Sequence, residues 1–252
     1  MPRKARRRSP SGIYHVIMRG INRQIIFLDQ EDRLRFIRTL EKYQPISTYL
    51  VFAYCLMGNH VHILLKEGKE PMATVMRRIC GSYVLWYNQK YTRVGHLFQG
   101  RYKSEPVNDD RYFLTVLRYI FQNPVKAGLV EAVGDYRWTN YFDYFKASSD
   151  EDLAFVLSFF DDNPSIAMDL LAKYLDQNND DACLDIQERQ HVNDRGAEEI
   201  IREFCGAAGV PTFKSLTVPE RDSVLRSLKA RGISVRQLER LTGINRGVIQ
   251  RA

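Results

Sequence analysis

The sequence predicts an α+β fold: a four-stranded antiparallel sheet in a split βαβ arrangement, followed by a helical C-terminal region. Three observations predict it. Strand-like and helix-like segments follow one another as β-α-β-β-α-β-α over the first half of the chain. Two of the strands meet at one tight turn, Gly58-Asn59. From residue 147 onward the pattern is helical only, and the charge changes sign.

Tyr14 to Arg19 is a short, mostly apolar strand, and Gly20 to Gln24 is a polar loop. Asp29 can cap a helix from Gln30 to about Tyr43 whose apolar face includes Leu34, Ile37 and Leu40. Thr48 to Leu56 is β-rich and reads as a central strand, and the next strand runs to Lys66. Pro71 opens a helix to about Gln89, with Met72, Val75, Met76, Ile79, Tyr83 and Trp86 at helical spacing; this stripe suits a core. Arg101 to Val107 is the fourth strand. Asn108 caps a last helix, Asp109 to Asn123, stopped by Pro124. This order is that of a ferredoxin-like sheet with an added helix.

Composition bounds the function. The 252 residues are 44% apolar and 27% charged, enough for one large or two small cores, and no apolar run is long enough to span a membrane. The net charge of +7 hides a pattern. Residues 1–146 carry 24 Lys+Arg against 12 Asp+Glu, residues 147–216 carry 5 against 15, and residues 217–252 carry 8 against 3. Two basic modules flank an acidic middle, so the expected division is 1–146, an acidic helical spacer 147–216, and a C-terminal module 217–252. Basic modules point to nucleic acid. Arg3, Lys4, Arg6, Arg7 and Arg8 form a basic arm without the apolar stretch of a secretory signal. Cys55, Cys80, Cys183 and Cys205 make no C-x-x-C pair and fit a reducing cytoplasm as small apolar residues.

Side chains alternate along a strand, so His60 and His62 share one face while Val61, Ile63 and Leu65 take the other. Two imidazoles about 7 Å apart can bind one metal ion, although unrelated surface or core histidines have the same spacing. In the last helix Phe113, Val116, Leu117 and Ile120 form a buried stripe. Tyr119 and Asn123 are four apart and lie one above the other, so a hydroxyl and an amide can face one point. The alternative is a packing tyrosine and a C-cap asparagine.

Together these pieces resemble a known family. Asn59-His60-Val61-His62 resembles the His-hydrophobic-His motif of the HUH single-strand endonucleases. Tyr119 to Leu129, with Asn123-Pro124 and Gly128, resembles the catalytic helix of their single-tyrosine transposase branch, the IS200-like transposases. Arg19-Gly20-Ile21-Asn22-Arg23 and the stretch from Gly95 to Ser104 are similar to other blocks of that branch, and the REP-associated tyrosine transposases are the nearest subgroup. The resemblance covers roughly residues 11–145. It implies the HUH fold, and cleavage and rejoining of single-stranded DNA near hairpins. It further implies Tyr119 as nucleophile and His60, His62 and Asn123 as ligands of a divalent metal, Mg²⁺ or Mn²⁺. Many relatives carry Gln where this chain has Asn123, and Gln122 is adjacent, so either amide is open as the third ligand.

The chemistry suits these residue types. Neutral imidazoles and an amide leave a cation its full charge, and imidazole favours Mn²⁺ over Mg²⁺. A tyrosine oxygen that attacks phosphorus and expels a 3′-OH leaves a 5′-phosphotyrosine. No general base stands out in the sequence. Arg19, Asn22, Arg23, His96, Arg101 and Lys103 are expected to contact DNA, with Phe98 or Tyr102 stacking on an unpaired base. The expected partner is therefore single-stranded DNA with hairpins, REP-like repeats among them, bound by a monomer or a homodimer.

At the C-terminus, Pro219 opens a helix to about Ala230, Ser234 with Gln237 forms a capping box for a second, and a third begins near Asn245 after Gly243. Leu238, Leu241, Ile244 and Val248 have the spacing of a helix-turn-helix, which would turn Arg246, Gln250 and Arg251 to a DNA groove; a small helical cap is the plainer reading. Three functions compete: a tyrosine nickase and strand transferase, a repetitive-element DNA regulator without nuclease activity, and a metal phosphoesterase or RNA-processing enzyme that uses the His-x-His pair without covalent chemistry.

Overall fold

The computed structural model describes residues 6–146, 151–185, 194–205 and 216–252. Arg3 and Lys4 of the basic arm lie outside them. The first unit carries β1 (Ile13–Arg19), α1 (Gln30–Ser47), β2 (Leu50–Leu56), β3 (His60–Lys66), α2 (Met72–Lys90), β4 (Lys103–Pro106) and α3 (Asp110–Lys126). The strands form one antiparallel sheet in the order β2-β3-β1-β4, so the expected α+β architecture is the observed one. No helix among the described residues is long and apolar enough to cross a membrane.

Strand alternation divides the core in two. Tyr14, Val16 and Met18 of β1 and Val61, Ile63 and Leu65 of β3 pack against Phe36 and Leu40 of α1 and Val75, Met76, Ile79 and Tyr83 of α2. The opposite face, with Leu64 and Cys55, packs against Phe113, Val116, Leu117, Ile120 and Phe121 of α3. Each fully buried side chain of this size contributes roughly 1.5–3 kcal/mol.

Several boundaries differ from expectation. The N-cap of α3 is Asp109, not Asn108: its carboxylate accepts the Tyr112 N–H at 2.8 Å. The helix also runs through Pro124. In the last turn a proline removes one backbone donor, and the Ala127 N–H still reaches the Asn123 carbonyl at 3.0 Å. The helix ends at Gly128, whose φ of +66° suits glycine. Asn123 is thus a helical residue with its side chain available, not a C-cap. In the same way α1 passes its own Pro45 to Ser47, which delays β2 to Leu50.

The larger correction concerns the acidic middle. α4 (Glu151–Leu157) and α5 (Pro164–Asp176) bury Leu153, Val156, Leu157, Ala167, Leu171 and Leu175 in the core shared with α3 and β2. Asp152 is bound in as well, accepting the Val51 N–H at 3.0 Å. Contacts divide the chain after residue 186, not at 146 and 216. The reason is local: each helix carries apolar residues three and four apart, and its carboxylates occupy the remaining face.

The second unit consists of α6 (Asp194–Cys205), α7 (Val218–Ala230), α8 (Val235–Thr242) and α9 (Arg246–Arg251). Ala197 and Ile201 of α6 share a core with Leu225, Leu228, Ile233, Leu238 and Ile249. The Ser234–Gln237 capping box opens α8, and Gly243, at φ +71°, makes the turn into α9.

Candidate active site and nucleic-acid interface

Register assembles the site. Across β1 and β3, Arg19 faces His60, Ile17 faces His62 and His15 faces Leu64; across β1 and β4, His15 faces Glu105 and Ile17 faces Lys103. Paired residues point the same way, so His60, His62, His15, Glu105 and Lys103 share one face, the one α3 packs on.

His62 is fully buried. Its Nε2 lies 3.4 Å from Asn123 Nδ2, and its Nδ1 lies 3.0 Å from His15 Nε2. The rings of His60 and His62 are 5.0 Å apart. His60 Nδ1 is 2.7 Å from Asn59 Oδ1, which directs its Nε2 away from the turn. Burial, then the neighbouring His15 and His60, hold the His62 imidazolium form well below the usual histidine range. The ring is neutral near pH 7, as a metal ligand must be.

Tyr119 is also buried, its ring 5.8 Å from that of His62 and 6.0 Å from that of His15. The Asp185 carboxylate and the Asn123 amide are the groups that act on its hydroxyl. Burial and the Asp185 charge push its pKa well above the usual tyrosine value, and the Asn123 contact only partly offsets them. Lys126 Nζ stands 5.6 Å from the ring centroid. The structure thus brings four expected residues together: His60, His62, Tyr119 and Asn123.

Gln122 points elsewhere. Its amide donates to the Leu175 and Gln177 carbonyls at 2.6 and 2.9 Å, and its Oε1 accepts from Asn179 at 2.7 Å. All its polar atoms are committed to the end of α5, so of the two adjacent amides only Asn123 faces the histidines. Among the described residues, no three His, Cys, Asp or Glu side chains are grouped to hold a metal ion. The residues that could supply donors are His60, His62 and Asn123, the last once its amide turns to present Oδ1 in place of the Nδ2 that faces His62 here.

His15, Glu105 and Asp185 were not singled out from the sequence. His15 carried a signal, a lone histidine on the alternate face of an apolar strand, but its partners depend on register. Asp185 lies 66 positions from Tyr119, a separation that no local pattern bridges. After α5 the chain forms a mostly exposed loop whose Asp181 makes a bidentate ion pair with Arg118 at 2.7 and 3.0 Å and whose Asn179 accepts from Lys126 at 3.0 Å, which ties it to α3.

Of the expected DNA-contacting residues, Arg19, His96 and Arg101 line one cavity. Arg19 donates to Gln99 Oε1 at 2.9 Å. Asn22 and Arg23 are exposed in left-handed backbone, at φ of 50° and 61°. The turn is held by the Gly20 N–H to the Asn59 carbonyl and the Ile21 N–H to the Leu97 carbonyl, both at 2.9 Å. Gly20 is required there, since an added Cβ would stand 2.1 Å from the Gln24 carbonyl. His96, Arg101 and Lys103 are exposed. A cavity of about 480 Å³ has Met18 and Met76 among its apolar walls, with Arg19, Arg101, Phe98 and Tyr102 also lining it. Met18 places it on the sheet face opposite His62. Arg6 of the basic arm lies over the Tyr102 ring at 3.7 Å. In the second unit Arg246, Gln250 and Arg251 are exposed on α9.

Comparison with known proteins agrees with this architecture. Residues 9–123 match the family model described as "Transposase IS200 like". A Haemophilus influenzae protein named as a REP-associated tyrosine transposase is 30% identical over 129 residues, which cover 46% of this chain and 70% of that protein. A solved REP-associated tyrosine transposase, bound to a REP hairpin, superposes with a TM-score of 0.54 at 16% identity, over 73% of this chain and 95% of that one. At that identity the likeness is one of fold.

Proposed function

Because the chain belongs to the IS200-like transposase family, among the REP-associated tyrosine transposases, we propose that it cleaves and rejoins single-stranded DNA beside hairpins through a covalent 5′-phosphotyrosine on Tyr119. The convergence of the Tyr119 hydroxyl, the Asn123 amide and His62 Nε2 carries this reading. A pure DNA-binding regulator needs none of the three. Tyr119 oxygen attacks phosphorus, the bond from phosphorus to the 3′ oxygen breaks, and the released strand ends in a 3′-OH. Asp185, whose charge acts on the phenol, is the carboxylate that takes the proton in this reading. Asn123 holds the phenol oxygen toward the histidines. His60, His62 and Asn123 would hold Mn²⁺ or Mg²⁺, which supplies Lewis-acid polarisation of a phosphate oxygen.

The test is cleavage of end-labelled hairpin DNA with Mn²⁺, resolved on a denaturing gel. A 3′-end label is expected in a protein adduct, a 5′-end label on a free strand, and neither after chelation. Tight hairpin binding with no adduct under Mn²⁺ or Mg²⁺ would overturn the proposal in favour of a regulator.

Arg19, Asn22, Arg23, His96, Arg101 and Lys103 supply the hairpin contacts in this reading, and Arg246, Gln250 and Arg251 a second DNA surface. Cations bind phosphates with a salt-dependent free energy. Arg101→Glu with Lys103→Glu is expected to weaken hairpin binding by at least about tenfold and to lower the slope of log affinity against log salt by roughly two. Fluorescence anisotropy at several salt concentrations reads both, and an unchanged slope would remove these two residues from the interface.

The segment 177–185 restrains the site in this reading. It neutralises Arg118, engages Lys126 and places the Asp185 charge near Tyr119. Asn179→Ala with Asp181→Ala frees both cations for phosphate, so hairpin affinity and initial cleavage rate are expected to rise several-fold. Rates equal to the wild type would reduce the segment to packing.

A further inference from the structure

We infer that Glu105 and His15 form a hydrogen-bond chain that sets the tautomer of His62, turning its Nε2 lone pair toward the metal position beside Asn123. They are positioning residues, and the inference rests on reading His62 as a metal ligand.

The chain is continuous. Glu105 Oε1 lies 3.1 Å from His15 Nδ1, and His15 Nε2 lies 3.0 Å from His62 Nδ1. His62 Nε2 then faces Asn123. Both imidazoles are fully buried, so no water competes for these nitrogens. A neutral imidazole has one N–H and one lone pair. An acceptor at one end therefore determines every proton position along the chain.

Glu105 is that acceptor. Besides His15, it accepts the Leu184 N–H at 2.8 Å, and the Tyr112 hydroxyl is a neighbour that acts on it. Burial works against its charge, but the bonds from His15, the Leu184 N–H and Tyr112 outweigh it and leave its pKa below the usual glutamate value. An ionised carboxylate only accepts, so the proton of His15 sits on Nδ1 and its Nε2 carries the lone pair. His62 must then donate from Nδ1, and its own lone pair lies on Nε2. Reversing the chain would place a hydrogen on His62 Nε2 and block coordination. The neighbouring His60 has the simpler device: Asn59 Oδ1 takes its Nδ1–H directly. Such outer partners typically account for about 10–100-fold in metal affinity.

The test uses the full-length, metal-free protein with ¹⁵N-labelled histidine and long-range ¹H–¹⁵N NMR, which distinguishes protonated from lone-pair ring nitrogens. The expected result is protonated Nδ1 and lone-pair Nε2 on both His15 and His62. In Glu105→Gln the amide can donate to His15 Nδ1 and reverse the chain. His62 then shows protonated Nε2, and Mn²⁺ affinity, read by titration with electron paramagnetic resonance, falls by at least about tenfold. Excess Mn²⁺ restores the cleavage rate. Glu105→Asp keeps an acceptor-only group and recovers affinity toward the wild type, which a purely structural role for Glu105 does not predict.

If Glu105→Gln fails to fold, the wild-type spectrum and Glu105→Asp still decide. A wild-type His62 protonated at Nε2, or a His15 protonated at both nitrogens, overturns the inference. So does an unchanged Mn²⁺ affinity in Glu105→Gln. Wild-type protein with the expected tautomers but no Mn²⁺ binding overturns the metal reading itself, and with it the purpose assigned to the chain.

Discussion

Tyr119→Phe is expected to abolish the covalent adduct and to lower hairpin cleavage by at least about 10³-fold while the protein stays folded. The change removes one oxygen near Asp185 and the Asn123 amide, and it leaves the ring that packs beside His15 and His62. Melting temperature should therefore move by only a few degrees, and hairpin affinity should be retained. A denaturing gel reads the adduct and circular dichroism reads the fold. Cleavage that persists in the variant would make water the nucleophile and support a metal phosphoesterase. Burial and the Asp185 charge keep the Tyr119 phenol protonated at neutral pH, so its proton must leave as attack proceeds, to Asp185 in this mechanism. Asp185→Asn is therefore expected to slow cleavage and, at saturating Mn²⁺, to make the rate climb with pH between about 6 and 9, where hydroxide must take the proton. An unchanged rate with a flat profile in the variant would remove Asp185 as the base.

The second large effect is one of stability. A chain ending at residue 146 is expected not to fold cooperatively, whereas one ending at residue 186 should. Ending at 146 removes Leu153, Val156, Leu157, Leu171 and Leu175 from the core they share with Phe113, Leu117 and Phe121. At roughly 1.5–3 kcal/mol for each buried side chain, the loss is comparable with the whole stability of a typical domain, about 5–15 kcal/mol. Gln122 also loses both carbonyl acceptors, and a buried amide without partners costs a further 1–3 kcal/mol or so. Thermal melts and solubility of the two truncations read this directly. Equal melting temperatures would mean that α4 and α5 only decorate the sheet unit.

This second case marks where sequence reasoning stopped. Residues 147–216 were divided from their neighbours by charge, and charge describes the solvent face of a helix. The apolar stripe of α5, with Ala167, Leu171 and Leu175, was legible as a helix pattern, but which core it completes is a long-range matter. The same holds for α6, whose Ala197 and Ile201 belong with the C-terminal helices.

What the sequence determined by itself is local and periodic. Alternation set His60 and His62 on one side of β3 and the apolar residues on the other. A spacing of four put Tyr119 over Asn123, and the order of strands and helices specified the sheet. Motif resemblance joins those two elements into one expected site. What only the tertiary structure decided is which atoms meet. Asn123 rather than Gln122 turns toward His62 because Leu175, Gln177 and Asn179 take up the other amide. His15 and Glu105 entered through the register of β1 with β3 and β4, and Asp185 through the course of the chain along α3. Each of these is a pairing between residues far apart in sequence, and such pairings are decided by packing and hydrogen-bond satisfaction over the whole unit, which no short window contains.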